Sequence, residues 1–408
     1  MPPVELPDFK VPGGRHWETA ALGAALTYQG VVDPFTGRPP SEAMILGLGG
    51  GIVPGYSFCP STLDRASGVL VTGRTHLIAT TPIFAERVAS RLGGKIHVSE
   101  TAGEKKALAN LAAVLADGKP AMVWAQKTML PYLHLGWRDG CQWFMHVVCV
   151  HSLDEAGGDV RVAEAAPTSL SVEGTAFAAA RADVCSFKNR VVTLDLPTKL
   201  TKAAYADAVR AGLADYIDAS RRPKMKTFSL IGLREWAKML TNDKNARGWR
   251  RAYSGGELYR ALRDAFDSIE TWGNGGGNFR GMYAEFLDEA AIVTKTPALS
   301  EAAAAHHELA TEWTVLADAF LPDRVAPFKK TKTLLRKRRD LFESKGAGAD
   351  KQLAKITDEL AALEIATLAD FPLTDAHAAD LLADVQAWLG GLLDKEDAAL
   401  DALEAIVG

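Results

Sequence analysis

The stretch GGRHWETAALGAALTYQG, from Gly13 to Gly30, constrains the chain more than any other. A glycine turn runs directly into a helix whose interior is Ala20, Ala21, Gly23, Ala24 and Ala25, with almost no charge. Side chains this small let other backbone approach from every side, and Gly30 supplies the stop. A helix without a polar face belongs inside a fold. Its first turn, His16-Trp17-Glu18-Thr19, therefore lies where a loop enters the core. Free N–H groups and partial positive charge there favour an anion or a nucleophile.

Downstream, VVDPFTGRPP leads to Ser41, placed to cap a helix over EAMILGL. The glycines that follow, Gly49 and Gly50 among them, are a candidate ligand loop. No strand precedes them as a dinucleotide fold requires, so a helix stop with close backbone approach is the preferred reading. From 68 to 125 the hydrophobic period alternates: VLVTG, HLIAT, KIHVSE and KPAMVWAQ read as strands, PIFAERVASRLGG and GEKKALANLAAVLADG as helices.

Residues 143–166 carry the clearest β pattern, two apolar runs around a Gly-Gly turn. Alternation puts His146 on the face of Val148 and Val150, and Glu164 on the face of Val160 and Val162. An unpaired carboxylate on an apolar face is costly, so the two are expected to pair across the hairpin or to share a cleft. The register is open, and a slip of one residue would separate them. His151 falls on the other face and reads as an ordinary strand histidine.

After residue 200 the pattern is helical. RRPKMKT reads as a solvated connector. WGNGGGNFRGMY opens a helix on which Tyr283, Phe286 and Leu287 read as core. Arg280, in its first turn, is a candidate for holding a carboxylate or phosphate, or an internal lock to a glutamate or carbonyl. His306 and His307 point about 100° apart on a helix, so a shared metal is disfavoured and a surface position preferred. Residues 328–408 hold three helical segments, with breaks near 346–348 and 370–372, whose leucines and alanines suggest helix hairpins or homo-oligomer contacts.

The whole chain, 408 residues with net charge −4, gives no support for a nucleic-acid or anionic-membrane surface. Four scattered cysteines, Cys59, Cys141, Cys149 and Cys185, form no zinc or disulfide pattern. No signal peptide and no bilayer-length apolar run is evident, which reads as a reducing, cytoplasmic setting. No metal or cofactor is expected.

The GGRHWET start with PSEAMILGLGGG, the hairpin HVVCVHSLDE…VRVAEAAPTSLSV and the later GNGGGNFRGMYAEFLDEAA together resemble the family named for the butirosin-biosynthesis acyltransferase H, with the helical domain of unknown function that often follows it. The resemblance implies an α+β, papain-like domain over 1–195, a helical connector over 196–227 and an all-helical domain over 228–408. It implies transfer of an acyl group from a carrier-protein thioester to a small-molecule amine. By position His146 is the general base, Glu164 orients it, and the nucleophilic cysteine is replaced by Trp17.

An indole cannot form an acyl-enzyme. Two expectations follow. In one, His146 and Glu164 activate a bound amine or water without a covalent intermediate. Amides around Glu18 and Thr19 would then hold the oxyanion, and His16, Glu18, Thr19 or Ser41 would contribute. Cys59 or Cys141 approaching His146 is a variant of this. In the other, Trp17 fills the acyl slot and the chain is a pseudoenzyme: a binding module or an oligomeric structural protein.

Overall fold

The structure is a computed structural model that describes residues 4–59, 68–74, 82–135, 145–154, 158–184, 188–197 and 199–408. The expected strand HLIAT, Cys141, Cys185 and part of the hairpin turn lie outside the described residues. Contacts divide the chain into two compact units. One holds Met1–Gly50, His76–Gly212 and Asp340–Ala354; the other holds Gly51–Thr75, Leu213–Arg339 and Lys355–Gly408. The expected domain spans run consecutively, whereas the compact units interleave along the chain.

The first unit contains a seven-stranded sheet. Its strands are β1 (Val4–Glu5), β4 (Lys95–Ser99), β5 (Ala121–Gln126), β6 (Met145–Leu153), β7 (Asp159–Ala163), β8 (Leu170–Glu173) and β9 (Val191–Asp195). The order is β4-β9-β5-β6-β7-β8, with β1 beside the far end of β6 and every pairing antiparallel. β5 is buried along its whole length, as its unbroken AMVWA run requires of an inner strand. Leu111 and Leu115 of the helix Glu104–Ala116, and Phe177 and Ala180 of the helix Gly174–Ala182, share one core with Val123, Val148, Val150 and Val162.

Helix α1 (Trp17–Tyr28) packs against β6 and is buried over most of its length. Gly30, at φ +71°, ends it; the Val31 N–H returns to the Leu26 carbonyl at 3.1 Å and the Gly30 N–H to Thr27 at 3.1 Å. Helix α2 (Glu42–Leu48) is capped by Ser41, whose Oγ accepts the Met44 N–H at 2.9 Å.

Among the described residues, the second unit is helical apart from one hairpin, β2 (Gly55–Cys59) with β3 (Gly68–Thr72). Its core is aromatic: Trp236 stacks on Tyr56 and Phe320, and Trp249 donates its indole N–H to Tyr56 Oη at 3.0 Å. Tyr283, Phe286 and Leu287 are fully buried there. The C-terminal breaks fall at 346–349 and 370–374, between the helices Ala326–Lys345, Asp350–Ala369 and Asp375–Val407. No described helix is long and apolar enough to cross a membrane.

Candidate functional site

A one-residue irregularity in β6 builds the site. Near the turn, Leu153 pairs with Val160 and Ser152 with Arg161; further along, Val150 pairs with Val162 and Cys149 with Ala163. The extra residue is His151, a β-bulge. Continued without it, the turn-side register would set Glu164 opposite Cys149, on the face away from His146. With it, Glu164 falls opposite Val148, and His146 lies two residues along on the same face. The expected pair forms: His146 Nε2 and Glu164 Oε2 are 2.7 Å apart, with both side chains about 1% exposed.

The pair fixes the tautomer. An ionised carboxylate only accepts, so Nε2–H donates to Glu164 and Nδ1 keeps its lone pair. That nitrogen has no hydrogen-bond partner among the described residues. Burial lowers the His146 pKa; Glu164 pulls it back up, and Lys127 opposes that pull. Tyr132 borders the pair; burial, then the Glu164 charge, hold its phenol well above the ordinary range.

The N-terminal turn is tied to the end of β7, next to Glu164. Gly13 takes φ +71°, and Gly14 N–H donates to the Ala165 carbonyl at 2.8 Å. This delivers Trp17 to the dyad. Its ring centroid is 5.2 Å from that of His146 with the planes 33° apart, and 4.3 Å from that of His16. Lys127 Nζ lies over the indole, 4.5 Å from its centroid. Trp17 is 4% exposed, and His16, Glu18 and Thr19 are fully buried.

The positive end of α1 already holds an anion. Glu42 accepts the Arg15 N–H at 3.0 Å, the His16 N–H at 2.9 Å and the Thr19 hydroxyl at 2.8 Å. His16 caps the helix itself, its Nδ1 accepting the Thr19 N–H at 3.3 Å. Of the expected oxyanion donors, the Thr19 amide therefore serves His16, and the Thr19 hydroxyl serves Glu42. A Cβ on Gly14 would stand 2.8 Å from the Glu42 carboxylate, so the glycine is what admits it.

The remaining candidates are engaged elsewhere. A Cβ on Gly49 would meet the Phe84 ring at 1.7 Å, and the Gly49 and Gly50 N–H groups return to Ile45 and Gly47, so this loop is a packed helix stop. Arg280 is fully buried as an internal lock, with Nε on Glu396 at 2.8 Å and Nη1 on the Asn278 carbonyl at 2.7 Å. His306 is not on the surface. It is fully buried beside Tyr283, with Nδ1–H donating to the Ala302 carbonyl at 2.8 Å, while His307 is exposed near Asp288. Cys149 is buried on the face opposite His146, and burial pushes its thiol far up. A cavity of about 730 Å³, lined by Asp8, Lys10, Gln29, Asp117, Lys119 and Asp195, lies at the other end of α1 from Trp17.

Two site residues had no place in the sequence reading. Lys127 could have been found as the cation directly behind the AMVWAQ strand. Glu42 had the weaker signal of an acid directly behind the Ser41 cap.

Residues 16–165 match the family described as butirosin biosynthesis protein H, N-terminal, and residues 175–341 match a domain of unknown function, DUF4872. The two matches follow one another in the order that the sequence resemblance implies. The matched span of this butirosin-type domain begins at His16, the cap of α1, and ends one residue past Glu164. The family match points to a biosynthesis-related role. No curated protein matches the chain.

Proposed function

We propose that the butirosin-type domain is a papain-like acyl-transfer scaffold of natural-product biosynthesis whose covalent route is closed by Trp17, leaving a binding or structural protein. The observation that carries this is the indole itself. It stands at the start of α1, where the resemblance implies a nucleophile, 5.2 Å from the His146 ring and 4% exposed. Indole N–H is a donor only and attacks no thioester. Glu42 supports the same reading: it accepts the Arg15 and His16 amides just ahead of α1, so a carboxylate already stands at the positive end of that helix. The ligand class that goes with the scaffold is an acyl group presented as a carrier-protein thioester, or the small molecule that would accept it, in a cytoplasmic setting.

A second reading rests on His146 Nδ1, held as the basic nitrogen by Glu164. In it the substrate amine attacks the thioester directly. The C–N bond forms, the C–S bond breaks, and the amine proton passes through Nδ1 to the departing thiolate.

Intact-mass and product analysis with a panel of acyl thioesters and amines separates the two. Under the first reading native protein forms neither adduct nor amide, and Trp17→Cys becomes acylated at residue 17. Native turnover that vanishes in His146→Ala would overturn the closed-site reading and establish the second.

A further inference from the structure

The longest helix, Asp375–Val407, carries a feature that its own chain does not use. Gly390 and Gly391 stand in its interior, where glycine weakens a helix relative to alanine. A Cβ added to either would meet nothing within 4 Å. Gly212, inside the helix Lys202–Arg221, shows the contrast: a Cβ there would press on the Gly47 carbonyl at 2.4 Å. One turn before Gly391 is Trp388, a tryptophan 51% exposed.

Helical spacing places Asp384, Trp388, Gly391 and Lys395 in one stripe, and all four are exposed. Other positions of the helix are engaged within the unit. Gln386 donates to the Ala237 carbonyl at 2.9 Å, Asp394 and Asp397 pair with Arg234, and Glu396 accepts from Trp313. The stripe lies outside these contacts, on the exposed side of the helix.

Its order is self-complementary. Turned end over end about the midpoint between Leu389 and Gly390, Asp384 falls opposite Lys395 and Trp388 opposite Gly391. A parallel arrangement would instead oppose Asp384 to Asp384 and Trp388 to Trp388. A two-fold interface uses the same patch twice, so such a stripe is what a second copy requires. Lys395 already meets Glu312, yet its side chain is 58% exposed and an ammonium has three donors.

We propose that a second copy of this chain docks antiparallel on this stripe, each Trp388 seated over the Gly391 of the other copy and each Asp384 paired with the other copy's Lys395. The missing side chain of Gly391 then has a purpose: it makes room for an indole. This inference is independent of the acyl-transfer reading.

Sedimentation of the full chain over a concentration series tests it. Native protein is expected to dimerise. Trp388→Ala should weaken the dimer by about tenfold or more. Gly391→Leu, which fills the seat with a better helix former, should do the same while the melting temperature holds or rises. Asp384→Lys and Lys395→Asp should each weaken self-association, and combining the two in one chain should restore a dimer, because only the antiparallel register then pairs unlike charges at both ends. A native chain that stays monomeric at every concentration would overturn the proposal. So would a dimer indifferent to Trp388→Ala and Gly391→Leu, or a doubly substituted chain that associates no better than the single charge variants.

Discussion

Each unit buries a glutamate against a nitrogen base, and the two pairs are built differently. In the second unit, Glu396 meets Arg280 at 2.8 Å and the Trp313 indole N–H at 2.6 Å, with the guanidinium 4.8 Å from the Trp313 ring centroid. In the first, Glu164 meets His146 at 2.7 Å, and the imidazole retains a nitrogen with no hydrogen-bond partner among the described residues. Arginine cannot give up its proton at any ordinary pH, so its pair is a fixed fastening between helices. Histidine can, and burial already favours its neutral form. A buried acid by itself therefore says little about chemistry; what matters is whether its partner keeps a lone pair.

Three experiments sharpen this contrast. The largest effect is expected in the second unit. Arg280→Ala leaves the Glu396 charge buried beside Trp313 and should cost about 3–5 kcal/mol in urea unfolding. The double variant Arg280→Met/Glu396→Leu, with no orphaned charge, should lose less; an equal loss would mean packing rather than charge fastens these helices.

In the first unit, Glu164→Gln keeps a hydrogen-bond partner and removes the charge. Its stability change should stay within about 1.5 kcal/mol. The His146 titration, followed by NMR, should move further down, because the upward pull of Glu164 is gone. An unmoved titration would detach the carboxylate from the base.

The smallest effects are in pH dependence. His146 has a folded pKa below its ordinary value, and so does His151, which burial lowers from 6.5 to about 4. Between the two values the unfolded chain binds more protons. The stability these groups contribute is thus present above pH 6.5 and lost as pH falls toward 4; His151→Gln should lose less over that window. Buried His306 adds to the loss in the second unit. Asp264 works in the other direction. Burial raises it from 3.8 to about 7, so its contribution declines as pH rises between those values. Asp264→Asn should gain on the native chain above pH 7 and match it below pH 4, measured by urea midpoints.

The sequence makes the small-residue helix and the hairpin legible because both are local patterns: a charge-free helical period in one, alternation in the other. His146 and Glu164 could be named from that alternation alone. Their meeting could not, because it depends on the bulge at His151, and a valine-rich strand looks the same with or without an extra residue. Glu42 reaches back 26 residues to His16, and Glu396 reaches back 116 to Arg280. Neither span has a period to follow. His306 was misplaced because a flanking histidine suggests a wet surface, whereas its backbone partner at Ala302 lets it sit dry.

The interleaving of the two units also bears on how the molecule is made. Tyr132 stacks on Phe342, His134 meets Asp350, and Thr168 accepts the Ala347 N–H, all within the first unit. A ribosome delivers those partners about two hundred residues after the strands and loops that wait for them. The second unit, in turn, needs a hairpin that emerges before residue 75. Neither unit can be completed early and set aside; both stay open until late in synthesis, and no single cut in the gene releases either one whole.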